Sequence, residues 1–121
     1  MNTLTDRQRV NAALKNVRTR GTQIKLNVPM MSVFTSSDVL EEHGFDLSEN
    51  WAYARGRDGE YGVKFNRSGD LKFGRYGEGR KLYVKFSNPM AARNVADGFR
   101  SQGFEVEWDG SEKTAVVVTL G

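Results

Sequence analysis

The chain has 121 residues, of which 38% are hydrophobic and 27% are charged, and its formal net charge is +3. This length suits one core, so we predict a single domain over residues 1–121. With no cysteine and one histidine, disulfides, thiolate nucleophiles, cysteine-ligated zinc and two-histidine metal sites are excluded. We predict no metal and no small-molecule cofactor. The polar N-terminus and the lack of an apolar stretch of about 18 residues predict a cytoplasmic protein without a membrane partner.

The small net charge conceals four blocks of alternating sign. Residues 1–25 carry six Lys or Arg against one Asp, and residues 26–50 carry five acids and no Lys or Arg. Residues 51–85 carry nine bases and four acids, and residues 86–121 carry three bases and five acids. Segregated charge concerns a protein's partners more than its fold, so the basic blocks are the first place to look for a binding surface.

Apolar residues spaced by three or four positions run from Val10 to Val28 and predict an N-terminal helix with basic flanks. Thr5 suits the N-cap, and Pro29 ends or kinks the helix because its ring removes a hydrogen-bond donor. Gly21 costs about 1 kcal/mol relative to alanine inside a helix, so a break close to it is the alternative.

A second, short helix is predicted within residues 30–45. Ser or Asp at positions 36–38 suits its cap, and Gly44 suits the position after its last residue. Residues 1–45 are therefore predicted to be a helical N-terminal part. The acids of the stretch 38–49 follow the basic helix closely, so pairing of the two inside the fold is one explanation of both charge blocks.

From residue 51 onward the apolar period changes to two, which is typical of strands. Seven of the 13 glycines fall between residues 56 and 79 and separate short alternating runs. Short loops between such runs indicate hairpins, and therefore an antiparallel β-meander of about four strands. The predicted strands cover residues 51–55, 61–66, 71–76 and 80–86.

The remaining segment predicts one helix and two strands. Asn88-Pro89 provides an N-cap followed by proline at the first helical position, and Gly103 closes the helix. Residues 104–108 and 114–120 are predicted to form a C-terminal β-hairpin. The predicted fold class is α+β, with N-terminal helical segments, the meander, one helix packed on the sheet and the hairpin, so that residues 51–121 read ββββαββ.

Alternation within the meander separates an apolar face from a polar face without acids. Lysines neutralise phosphates and tyrosine rings stack on bases, so this face predicts nucleic-acid binding with little sequence specificity. The alternative is an ordinary solvent-exposed sheet face, where Lys and Tyr are common. The predicted binding residues are Lys64, Lys72, Tyr76, Lys81, Tyr83 and Lys85 on the strands, with Arg55, Arg57, Arg67, Arg75 and Arg80 in or beside the adjoining turns.

One segment resembles a known family. The hexamer Lys81–Phe86, followed by Asn88-Pro89 and a helix, resembles the first strand and helix of the RNA-recognition motif, whose hexamer carries a base-stacking aromatic residue at the position of Tyr83. The Gly- and aromatic-rich octamer that this family carries on a later strand is missing after Trp108. The resemblance therefore implies a stacking role for Tyr83 only.

The alternative function is a protein-interaction module, such as a phage- or plasmid-encoded accessory or inhibitor protein that docks on a larger host complex. In that case residues 6–45 form the docking element, and the helix is also a candidate for homodimer formation. An acid-x-Lys pattern at Asp70 and Lys72 is typical of some metal-dependent nucleases, but it is common in charged chains. We predict a binding protein and no enzyme. The docking residues are Arg7, Arg18, Lys25, Met30, Met31, Val33 and Phe34.

Overall fold

Three helices and five strands form the part of the chain that the structure, a computed structural model, describes: residues 4–28, 37–42, 44–55, 63–72, 81–112 and 114–120. Their order alternates helices and strands in the N-terminal half and ends on a strand pair. The elements are α1 (Asp6–Thr19), β1 (Gln23–Val28), α2 (Ser37–Glu42), β2 (Trp51–Arg55), β3 (Lys81–Phe86), α3 (Pro89–Arg100), β4 (Glu105–Glu107) and β5 (Val116–Thr119).

The five strands form one mixed sheet in the order β1-β2-β3-β5-β4. Strands β1 and β2 are parallel, and the other neighbouring pairs are antiparallel. Because β5 is antiparallel to both of its neighbours, β3 and β4 run in the same direction with β5 between them. The predicted α+β class is confirmed, with α3 packed on the sheet and a C-terminal strand pair.

The prediction of one helix up to Val28 is wrong, because the helix ends at Thr19 and residues 23–28 form β1. The predicted N-cap is correct, since the Thr5 side chain accepts a hydrogen bond from the Gln8 backbone N–H. Gly21 has φ +100°, a conformation that breaks a helix. The helical part predicted for residues 1–45 therefore contributes an edge strand to the sheet. Parallel pairing with β2 determines this, and that pairing is not visible in local spacing.

A bulge in β1 explains why its apolar residues looked helical. The register with β2 is regular as far as Lys25 and then shifts before Val28. Ile24 consequently packs in the main core, whereas Val28 packs on the other side of the sheet. The spacing of four between Ile24 and Val28 thus mimics a helical stripe, although the two side chains serve different faces.

The meander also differs from its prediction. Its first and fourth strands form β2 and β3, and these pair directly with each other. In the described portions of the two middle strands, residues 63–66 and 71–72, the only bridge joins Phe65 to Leu71. This turn is attached to the first turn of α1, because the Arg7 N–H donates to the Gly69 carbonyl at 2.8 Å and the Asp6 carboxylate accepts from the Leu71 N–H. The Gly69 carbonyl thereby satisfies the Arg7 N–H, which has no partner within the helix.

The main core lies between one face of the sheet and the helices α1 and α3. Apolar residues of both helices are buried there against inward residues of all five strands, including Val84 and Val118. The two helices approach closely at Gly98, where an added Cβ would lie 2.3 Å from Val17 Cγ2. A second, smaller cluster on the opposite face of β1 and β2 joins Leu40 of α2 to Phe45 and Tyr53. The helices therefore leave open the outer face of the sheet from β3 onward.

Candidate nucleic-acid interface

Strand β3 places three of the predicted binding residues together on the outer face of the sheet. Leu82 and Val84 are buried under the helices, whereas Lys81, Tyr83 and Lys85 are exposed. Tyr83 is 60% exposed, which is unusual for an aromatic residue in the middle of a sheet. At about 3.3 Å per residue, the Cα atoms of the two lysines are roughly 13 Å apart with the tyrosine midway between them. The outcome confirms the alternation predicted for this strand.

Helix α1 does not cover this face. Its apolar stripe contacts α3 and β1, and it belongs to the same buried cluster as the inward residues of β3. The stripe, which consists of Val10, Ala13, Leu14 and Val17, is therefore used inside the chain. The homodimer predicted through this helix remains a prediction and gains no support from that stripe.

On the outer face, the neighbouring strands β3 and β5 form a strip that has two different borders. Its residues are Lys81, Tyr83, Lys85, Val117 and Thr119. On one side Lys85 pairs with Tyr53, which is buried in the cluster that Leu40 and Phe45 close. On the other side β5 presents half-buried Val117 and Thr119, which are aligned with Tyr83 and Lys81. Among the described residues, the outer face is therefore open to a ligand from β3 onward, and the aromatic cluster lies beside β3.

The far border of the strip is acidic. Glu107 is aligned with Val117 and Glu105 with Thr119, and both carboxylates are exposed. Two strand spacings of about 4.8 Å place them roughly 10 Å from β3. The polar face of the predicted meander had no acid, but β4 adds two, which balance the charges of Lys81 and Lys85. The face is therefore basic along β3 and acidic along β4, instead of uniformly basic.

Of the remaining predicted binding residues, none whose side chain the structure describes lies on this strip. Lys64, Arg67 and Lys72 are exposed on the turn that attaches to α1. Its residues Val63, Phe65 and Leu71 pack against the main core, on the helical side of the sheet. The backbone of Arg55 belongs to β2, but its side chain is outside the described residues, as are the whole of Arg57, Arg75, Tyr76 and Arg80.

The basic residues predicted for protein docking are spread over the fold. Arg7 donates to the Asn66 carbonyl at the start of α1, and Arg18 donates to the Ile24 carbonyl near its end. Eleven helical residues separate these two arginines by about 16 Å. Arg18 and Lys25 line one open cavity of about 340 Å³ together with Glu49. Met30, Met31, Val33 and Phe34 are outside the described residues.

In the part of the chain that the structure describes, the arginines of α1 and of its C-cap contact groups outside the acidic stretch 38–49. Arg20, the C-cap residue, forms an ion pair with Asp97 of α3 at 4.0 Å. Arg9 lies 4.4 Å from the centre of the Phe104 ring and donates to the Gln102 carbonyl. These contacts tie α1 to the end of α3, so its arginines contribute to the packing of the two helices.

Sequence reasoning missed two residues of the strip and the two residues of its acidic border: Val117, Thr119, Glu105 and Glu107. Alternation in the last two strands does predict which of their residues share a face. It does not predict that β5 enters the sheet next to β3, because strand order depends on contacts between distant segments. The missing information was therefore the sheet order alone.

The perturbed carboxylates belong to turns and lie outside the strip. A hydrogen bond from the Thr114 hydroxyl, together with the Ser111 N–H, lowers the pKa of Asp109. The Ser48 hydroxyl and N–H likewise lower the pKa of Asp46. Among the described residues, no group of three His, Asp or Glu side chains is arranged to hold a metal ion, and no helix is long and apolar enough to cross a membrane.

Comparison with known proteins identified no relative of this chain. No protein-family model, no curated protein and no solved structure matches the chain.

Proposed function

We propose that this chain is a non-enzymatic, cytoplasmic protein that binds nucleic acid with little sequence preference through the outer face of β3. The observation that carries the proposal is the 60% exposure of Tyr83 between two exposed lysines. Stacking of a base on an aromatic ring contributes about 1–3 kcal/mol. The position of Tyr83 inside an open sheet face allows a flat ring to approach without a clash from a covering helix.

The charges on either side of Tyr83 support a role in phosphate binding. Lys81 and Lys85 point to the same side of the strand as the ring, because residues two apart in a strand share a face. Ammonium groups contact phosphates in any sequence, and a stacked ring accepts any base. The combination therefore favours binding with little discrimination between bases.

Fluorescence anisotropy with a labelled oligonucleotide tests the proposal at two salt concentrations. If two phosphates of a single-stranded oligonucleotide are neutralised, the logarithm of the association constant should fall against the logarithm of salt with a slope of about −1.4. Lys81→Gln with Lys85→Gln should bring this slope close to zero. Tyr83→Leu should weaken binding about fivefold or more, whereas Tyr83→Phe should retain most of it.

Lys15→Gln is the matched control, because Lys15 is exposed on α1 and lies away from the strip. It lowers the net charge by one without touching β3, so it should change binding far less than Lys81→Gln. No binding at low salt would contradict the proposal, as would binding that is insensitive to salt or equally weakened by Lys15→Gln. A stoichiometric protein partner that survives nuclease treatment would instead favour the protein-interaction module.

A further inference from the structure

We propose that the ligand of this face is a single strand whose backbone follows β3, and that Glu105 and Glu107 discriminate against a duplex. This inference rests on the proposed function and names its substrate class. It starts from the width of the open strip, which spans β3 and β5 between the aromatic cluster around Tyr53 and the two carboxylates of β4. A strip two strands wide accommodates one sugar-phosphate backbone.

A duplex brings a second backbone to this surface. The grooves that separate the two backbones of B-DNA are about 12 Å and 6 Å wide. With one backbone held at Lys81 and Lys85, a second one on the β5 side would lie over β4, whose outer-face residues are roughly 10 Å from β3. Glu105 and Glu107 are exposed on β4, so they would repel the second row of phosphates.

The opposite side of the strip is closed to a second backbone for a steric reason. Tyr53, the neighbour of Lys85 across the β2–β3 pair, is 1% exposed because Phe45 and Leu40 of the second cluster cover it. Trp51 stacks on Tyr53 with the ring centres 5.8 Å apart, which continues the cluster along β2. A second backbone on this side would have to lie over a layer of side chains instead of on the sheet.

Tyr83 gives the same preference by a different mechanism. The faces of bases inside a duplex are occupied by neighbouring base pairs, so its ring stacks only on an unpaired base. Stacking selects for a single strand by attraction, while the carboxylates of β4 select against a duplex by repulsion. The two effects are separable by mutation, because the tyrosine and the glutamates are on different strands.

Anisotropy with a labelled single-stranded oligonucleotide and a blunt duplex of two complementary strands of the same length tests this inference at about 0.1 M salt, where the screening length of about 10 Å limits the glutamates to a backbone close to β4. The variant Glu105→Gln with Glu107→Gln is compared with Asp70→Asn with Glu49→Gln. Both pairs raise the net charge by two, but the exposed control residues lie away from β3 and β4, in the α1-attached turn and beside Arg18 near the end of α1.

The wild-type chain should bind the single strand more tightly, and the glutamate variant should gain about threefold or more in duplex affinity relative to single-strand affinity. The control variant should raise both affinities by the same factor. Equal or tighter wild-type binding of the duplex would overturn the inference, as would an unchanged ratio in the glutamate variant, and the proposed function would survive either result. If Lys81→Gln with Lys85→Gln left the single-strand affinity and its salt slope unchanged, the proposed function itself would be overturned.

Discussion

Glycine at position 98 is required by the contact between α1 and α3, and its replacement by alanine should destabilise the protein. Gly98 is buried in α3 and faces α1. An added Cβ would lie 2.3 Å from Val17 Cγ2, 3.1 Å from the Val17 backbone N and 3.2 Å from the Ala13 carbonyl oxygen. Apolar carbon atoms normally approach to about 3.5–4.0 Å, so the first contact is more than an ångström too short.

Two opposing effects determine how far Gly98→Ala changes the free energy of unfolding. Gly→Ala in the interior of a helix normally stabilises by about 1 kcal/mol. Overpacking of a tight core contact costs about 1–3 kcal/mol. The clash is not relieved by rotation of Val17, because valine in a helix strongly prefers one rotamer and the other two contacts are to backbone atoms. We therefore expect Gly98→Ala to lower the free energy of unfolding by about 1 kcal/mol, the difference between the two terms.

Urea unfolding followed by circular dichroism measures this effect, and two sets of variants separate its terms. Arg93 is exposed on the same helix, so comparing Arg93→Ala with Arg93→Gly gives the propensity term where a Cβ has room. Val17→Ala removes the clashing methyl group. In a double-mutant cycle, Gly98→Ala should therefore be neutral or stabilising in the Val17→Ala background, with a coupling energy of about 1 kcal/mol or more.

A Gly98→Ala variant that stabilises the wild-type protein as much as the Gly→Ala change at position 93 would contradict a steric clash with Val17. A double-mutant cycle that is additive within about 0.5 kcal/mol, the usual limit for residues that are not in contact, would contradict the clash as well.

Two further predictions concern acid stability and the sheet edge. The lowered pKa of Asp109, caused first by the Thr114 hydroxyl, means that its stabilising effect is present above the unfolded-state pKa of about 3.9 and disappears as the pH falls through the lower folded-state value. The urea midpoint of Asp109→Asn should thus fall less than that of the wild type between about pH 5 and pH 2.5, and an equal fall would contradict this. At the edge strand β4, the Arg100 guanidinium donates to the Val106 carbonyl at 3.2 Å. Arg100→Ala should increase self-association measured by light scattering, and Arg93→Ala should not; equal behaviour would show that this hydrogen bond does not protect the edge.

Local signals in the sequence predicted the starts of α1 and α3 and the glycines that follow α2 and α3, but not the end of α1. Thr5 and Gln8 form a reciprocal capping box at the start of α1, and the Asn88 side chain accepts from the Ala91 N–H at the start of α3. Gly44 and Gly103 have the positive φ angles expected after a helix. These features depend on hydrogen bonds between residues at most four positions apart, so neighbouring residues contain the information they need.

Part of the candidate site was equally local. Alternation in one strand was sufficient to predict that Lys81, Tyr83 and Lys85 share a face, and they do. The stacking and phosphate-binding roles follow from those residue types. Their exposure was a different matter, because the same alternation would have been seen if α1 had covered that face.

Only the tertiary structure decided which elements surround those three residues. Pairing with β2 turned residues 23–28 from a predicted helix into a strand, and insertion of β5 between β3 and β4 brought Glu105 and Glu107 to the border of the basic strip. Both outcomes depend on contacts between segments more than 20 positions apart in the sequence. Periodicity reports which side of a strand a residue occupies, whereas the neighbours of that strand are set by the packing of the whole sheet on its helices.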